Sequence, residues 1–95
     1  MKMRPSCQDC VIKHLSQAMV LMDEAILGYP THRYLAIGHM AEAESEALGY
    51  DIVIAQEIRD YRLEYVSQSA VANHAGINLL PLIQKIDATD WVIVK

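Results

Sequence analysis

The chain has 95 residues, 53% of them hydrophobic, and eight Lys+Arg against twelve Asp+Glu give it a net charge of −4. A single domain of this size folds around a compact core but leaves much of its surface in water, so marginal stability or self-association is the default. The apolar content excludes a disordered chain, and the scattered basic residues exclude a stripe that could neutralise a run of phosphates, so nucleic acid is not an expected partner.

The opening Met1-Lys2-Met3-Arg4-Pro5 runs into Gln8, Asp9, Lys13 and His14. It therefore holds no signal-peptide apolar region, and the chain offers no uncharged apolar run of about 18 residues to span a bilayer. A cytoplasmic location with no membrane partner is expected. The two cysteines are separated by two residues. That count is too low for the disulfide framework of a secreted miniprotein and suits a metal or redox pair in a reducing compartment.

In chain order, Ser6 is placed to cap a first helix, with Asp9 reaching back to form a capping box. Apolar residues then recur at Ile12, Leu15, Met19, Met22 and Ile26, with Val11, Ala18 and Ala25 widening the stripe, which predicts an amphipathic helix with a broad buried face. Gly28-Tyr29-Pro30-Thr31 ends it, Gly suiting a left-handed position and Thr31 available to cap the next helix. So short a turn implies an antiparallel hairpin.

A second helix is expected from His32 to Leu48, where alanines at 36, 41, 43 and 47 permit close approach of a neighbour. Gly49 stops it, and Asp51 is placed to cap a third helix with Ile54, Ile58, Tyr61 and Tyr65 on one face. Residues 50–54 are also β-prone, but no turn signal separates them from the helical pattern that follows, so helix is the reading. Asn73-His74-Ala75-Gly76 reads as a helix exit. Asn78 is placed to cap a short fourth helix carrying Leu79, Leu80, Leu82, Ile83 and Ile86, with Pro81 in its first turn. The tail Asp90-Trp91-Val92-Ile93-Val94 is too apolar for water and must pack on the bundle or pair with a second copy.

The fold expected is thus all-α, a small bundle of three to four helices spanning 1–95 as one domain and built on an N-terminal antiparallel hairpin. A short C-terminal β-strand is an option.

Chemistry concentrates on the first two helices. At 100° per residue, Cys7, Cys10 and His14 project within an arc of about 60° beside the apolar stripe. Cys-x2-Cys-x3-His suits one tetrahedral ion, since thiolate and imidazole reach Zn²⁺ at about 2.0–2.3 Å. A helix N-terminus favours anionic ligands there, which serves a metal and a redox dithiol equally. On the second helix His32, Leu35, His39, Glu42 and Glu46 follow each other three and four residues apart and share a face.

If the two helices pair antiparallel about the turn near Tyr29, residues whose numbers add to about 59 stand opposite each other at about 1.5 Å of rise per residue. His14 then faces Glu42 to Glu46, and Glu24 faces His32 to Leu35. Glu46 becomes the fourth ligand or the carboxylate that orients His14. His39 stands about 9 Å along the axis from His14 and joins the site only through a bent helix or another subunit. Glu44 points away from this row and reads as solvated. The five methionines read as core filler.

The segments Cys7-Gln-Asp-Cys-Val-Ile-Lys-His-Leu15 and Gly38-His-Met-Ala-Glu-Ala-Glu-Ser-Glu46 together resemble short uncharacterised helical proteins carried by bacteria and phages. The resemblance covers Cys7 to Glu46 and implies that the Cys/His and His/Glu rows act as a unit; it implies no activity.

The expected function is binding of one transition-metal ion, zinc or a chemical relative, through Cys7, Cys10 and His14 with Glu46 or His39 completing the shell and pinning helix one to helix two. Two alternatives stand beside it. One is an oligomeric protein-interaction or small-ligand module without metal, a homodimer or higher homo-oligomer. The other is a dithiol redox protein using Cys7 and Cys10. No Gly-rich phosphate loop, nucleophile elbow or His-Glu-x-x-His is present, so nothing argues for an enzyme.

Overall fold

A computed structural model describes residues 6–68, 76–89 and 91, with Ser6 described by its backbone alone. Among them are four helices, α1 (Ser6–Ile26), α2 (His32–Leu48), α3 (Ile52–Gln68) and α4 (Leu80–Ala88). The expected all-α bundle is therefore the fold, and no strand occurs among the described residues. The optional tail strand falls mostly on 90 and 92–94, and the expected helix exit on 73–75, all outside the described residues; so does the Ser6 half of the capping box.

The helices form a ring in which α1 packs on α2, α2 on α3, α3 on α4 and α4 on α1, while α1 and α3 stand diagonally without close backbone approach. Neighbours run antiparallel. Along α1 and α4, Met22 lies against Gly76 at one end, and Gln8 meets Ile86 and Thr89 at the other. Helix α4 has 9 residues against 21 in α1, so it covers only part of the length of its neighbour.

The buried stripe of α1 is Val11, Leu15, Ala18 and Met22. It is rotated from the expected one: Ile12 and Met19 are partly buried at its edge, and Ile26 is 52% exposed. The ring arrangement explains this, because α1 must face α2 and α4 at once and the centre of its buried arc falls between them. Helix α2 is inserted between α1 and α3, and its buried side chains are Ala36, Met40, Ala43 and Ala47. Three alanines let both neighbours approach closely, and Met40 fills the remaining gap. Ile54, Ala55, Ile58 and Tyr65 close the core from α3, and Leu79, Leu82 and Ile86 from α4 and its entry. Each fully buried large aliphatic here contributes about 1.5–3 kcal/mol relative to exposure.

The connections follow local chemistry in most places. Gly28 takes φ +122° at the end of α1, a conformation that side chains with a Cβ resist. Asp51 caps α3, its Oδ1 accepting from the Val53 and Ile54 amides at 3.1 Å. Asn78 Oδ1 accepts from Leu80 N–H at 3.0 Å, and Pro81 sits in the first turn of α4, where its missing N–H costs nothing. Thr31 differs from expectation: its backbone is already helical, at φ −67° and ψ −21°, and its side chain makes no cap hydrogen bond. The amides of His32 and Tyr34 instead find the Tyr29 and Thr31 carbonyls.

Trp91, beyond α4, is 4% exposed and stacks on Tyr50, with ring centroids 5.7 Å apart and planes 1° apart. The tail thus packs on the bundle at this residue, closing the end where α1 begins and α2 turns into α3.

Candidate functional site

The α1–α2 hairpin sets the geometry of the site. His14 of α1 meets the polar row of α2: its Nε2 lies 3.3 Å from Glu42 Oε2 and 4.0 Å from Glu46 Oε1. Nearer the turn, His32 Nδ1 lies 2.7 Å from Glu24 Oε2, with Tyr29 stacked on the His32 ring at 5.2 Å. Both facings match the antiparallel expectation, but the register is slightly tighter. Residues whose numbers add to about 56, such as His14 and Glu42 or Glu24 and His32, are the ones that meet.

That small shift overturns the distance expected for His39. His39 stands one turn before Glu42, and its Nδ1 lies 2.9 Å from His14 Nδ1, with the ring centroids 5.2 Å apart. No bent helix or second subunit is needed. With the register displaced by about three residues, the axial offset is about 4.5 Å, which an imidazole arm spans. His14, His39 and Glu42 consequently bring their ligand atoms within 4.8 Å of one another.

Two nitrogens at 2.9 Å form a hydrogen bond only if one ring donates and the other accepts. The arrangement that also satisfies Glu42 puts the proton of His39 on Nδ1, donating to His14 Nδ1, while His14 donates from Nε2 toward the Glu42 carboxylate. Glu46 adds a second carboxylate, whose Oε2 is buried without a hydrogen-bond partner. An anionic oxygen taken from water with no donor is unfavourable, and a cation beside it offsets that cost. Glu42 is 66% exposed, so one side of the group opens to solvent.

The two cysteines lie apart from this group. Both are free thiols, Cys7 half-buried and Cys10 exposed. Among the described residues, neither belongs to a set of three or more His, Cys, Asp and Glu side chains whose ligand atoms converge within 4.8 Å. His14 turns toward α2, whereas Cys7 faces the bundle end, where the Tyr50 hydroxyl hydrogen-bonds its sulfur. This bond, together with the charge of the Cys7 sulfur, raises the Tyr50 pKa above its ordinary 10.0. Sharing a 60° arc on one helix does not make side chains converge when, like Cys7 and His14, they are seven residues and about 10.5 Å apart along its axis.

Other contacts were not anticipated from the sequence. Glu44 is no solvated bystander: its Oε1 accepts from Arg62 Nη2 at 2.7 Å, tying α2 to α3. Gln8 is 2% exposed and donates from Nε2 to the Ile86 and Thr89 carbonyls at 2.8 and 2.7 Å. The available signal was its place on the stripe: Gln8, Val11, Leu15, Ala18 and Met22 follow each other three and four residues apart. Lys85 pairs with Glu57 across α4 and α3.

No helix among the described residues is long and apolar enough to cross a membrane. In comparison with known proteins, the chain matches no protein-family model, no curated protein and no solved structure.

Proposed function

We infer that this protein binds one divalent transition-metal ion between α1 and α2, with His14 and His39 as its nitrogen ligands, Glu42 as its oxygen ligand and Glu46 beside them as a further carboxylate. The observation that carries the reading is the pair of imidazole nitrogens at 2.9 Å, one from each helix, with Glu42 completing a group inside 4.8 Å. Ligand atoms around a tetrahedral Zn²⁺ at about 2.0–2.1 Å stand about 3.3 Å apart, so the rings need separate by only a few tenths of an ångström once the shared proton leaves. Glu46 stands beside this group, its Oε1 4.0 Å from His14 Nε2, and its unpartnered Oε2 favours a cation nearby. An N/O donor set of this kind suits zinc or a neighbouring first-row ion. The role is a staple holding α1 against α2. The earlier ligand expectation thereby narrows to His14 and His39, gains Glu42, keeps Glu46 as the carboxylate beside them, and leaves Cys7 and Cys10 to a different use.

The test is elemental analysis of metal per chain on protein purified without a chelator or a His tag, paired with thermal melts. Near-stoichiometric zinc is expected, lost in His39→Ala and retained in the Cys7→Ser/Cys10→Ser double variant. Free zinc at a hundred times its dissociation constant stabilises the native state by about 2.7 kcal/mol, a rise of roughly 11–22 °C for a domain of this size. Absence of metal with an unchanged melt on zinc addition overturns the reading, and loss of metal in the cysteine variant returns the site to Cys7 and Cys10.

A second reading, self-association, is favoured by exposed apolar residues on α2 and α3: Tyr34 at 64%, Leu48 at 54%, Ile52 at 59% and Val53 at 57%. Light scattering at micromolar concentration decides it, a homodimer being the expected species and a monomer the contrary result.

A further inference from the structure

The metal group leaves Cys7 and Cys10 unused. They occupy the first turns of α1, whose helical conformation begins at Ser6. Residues three apart in an α-helix have Cα atoms about 5 Å apart, inside the range of about 4.4–6.8 Å that a disulfide bridges. The two thiols are unequal in access, Cys10 being exposed and Cys7 half-buried. They are also unequal in partner. The Tyr50 hydroxyl hydrogen-bonds the Cys7 sulfur, and Tyr50 is itself held flat against Trp91, whose ring is nine-tenths buried and whose Nε1 has no hydrogen-bond partner. Gln8, between the two cysteines, ties this turn of α1 to the end of α4. An accessible thiol, a second thiol one turn away held by a hydroxyl donor, and a fixed backbone beneath both are the parts of a dithiol exchange site.

We propose that Cys10 and Cys7 form a reversible redox pair that exchanges with low-molecular-weight disulfides, Cys10 as the entry thiol and Cys7, positioned by Tyr50, as the resolving one. The Cys10 thiolate attacks one sulfur of a disulfide RSSR, forming a mixed disulfide and expelling RS⁻. The Cys7 thiolate then attacks the Cys10 sulfur, so that the Cys7–Cys10 bond forms as the second RS⁻ leaves. The two protons of the protein thiols pass to the two thiolates released. Both electrons move from the cysteine pair to RSSR, yielding the protein disulfide and two RSH. In the reverse direction the Tyr50 O–H stabilises the departing Cys7 thiolate, which makes Tyr50 a positioning residue of the exchange.

The experiment incubates the full chain, stripped of metal, with glutathione buffers of graded redox poise, and reads the products by mass spectrometry after alkylation. Wild type is expected to lose two hydrogens with no glutathione retained, and to recover both thiols on returning to reduced glutathione. Cys7→Ser traps glutathione on Cys10. Cys10→Ser reacts slowly, because only the half-buried thiol remains. Tyr50→Phe still forms the disulfide but shifts its equilibrium with glutathione several-fold toward the oxidised form, a change a purely structural role of Tyr50 would not produce.

Stable glutathione on wild-type Cys10, or no reaction at either thiol, overturns the proposal. So does complete protection of both thiols by stoichiometric zinc, which would make them metal ligands. His39→Ala, which disables the proposed metal group, should leave the exchange unchanged, so the two proposals fail independently.

Discussion

Replacing Gln8 by Leu tests how the first turn of α1 is anchored. The side-chain amide is 2% exposed and spans from α1 to two carbonyls at the end of α4, at 2.8 Å to Ile86 and 2.7 Å to Thr89. Leu preserves most of the apolar volume, so the change removes two hydrogen bonds without opening a large cavity. The Ile86 carbonyl keeps the Thr89 amide at 3.2 Å, and the Thr89 carbonyl is only part-buried, so neither acceptor is wholly orphaned. Two net hydrogen bonds at about 0.5–1.5 kcal/mol each give a loss of about 2 kcal/mol. For a domain of this length that lowers Tm by roughly 8–16 °C.

Urea unfolding followed by circular dichroism and by fluorescence of Trp91, the single tryptophan, measures the loss directly. Ser16→Ala serves as the reference, since Ser16 Oγ only bonds back to Ile12 O on an exposed face. A Gln8→Leu loss no larger than the reference would mean that α4 is held on α1 by apolar packing alone.

At Gly76, with φ +88°, a Cβ would stand 3.4 Å from Met22 Cβ; Gly76→Ala should cost about 1–3 kcal/mol in the same urea assay, and a neutral result would refute the strain. The Tyr50 and Tyr65 pKa values both lie above 10.0, the first through its hydrogen bond with Cys7, the second through burial opposed by Arg33. The native state therefore holds these protons more tightly than the unfolded chain. Their contribution to stability is complete below about pH 10 and is lost as pH rises through the raised values. Ultraviolet titration of the phenolates should show two late tyrosines in wild type. In Cys7→Ser the Tyr50 titration should return toward its ordinary value while that of Tyr65 stays late; an unchanged profile would remove the Cys7 contact.

Much of the fold was legible because helices are local objects. Apolar spacing, Gly28, the Asp51 cap, Asn78 and Pro81 each act within a few residues, and they delimit α1 and α2 almost to the residue and place the starts of α3 and α4. The antiparallel hairpin followed from the length of one turn, and with it the meeting of His14 with Glu42 and of Glu24 with His32. The sequence by itself therefore determined the helices, their hairpin pairing and the polar row of α2.

Tertiary structure decided what depends on a few ångströms or on residues far apart in the chain. A register about three residues tighter than the turn suggested brought His39 onto His14. The presence of two neighbours around α1 rotated its buried arc and made a core residue of Gln8. Packing at the bundle end brought Tyr50 to both Cys7 and Trp91, contacts that no local pattern announced. Periodicity fixes the direction in which a side chain leaves its own helix, but what it meets is fixed by the axial offset and rotation of the neighbouring helix, and these are settled by the packing of all four helices together.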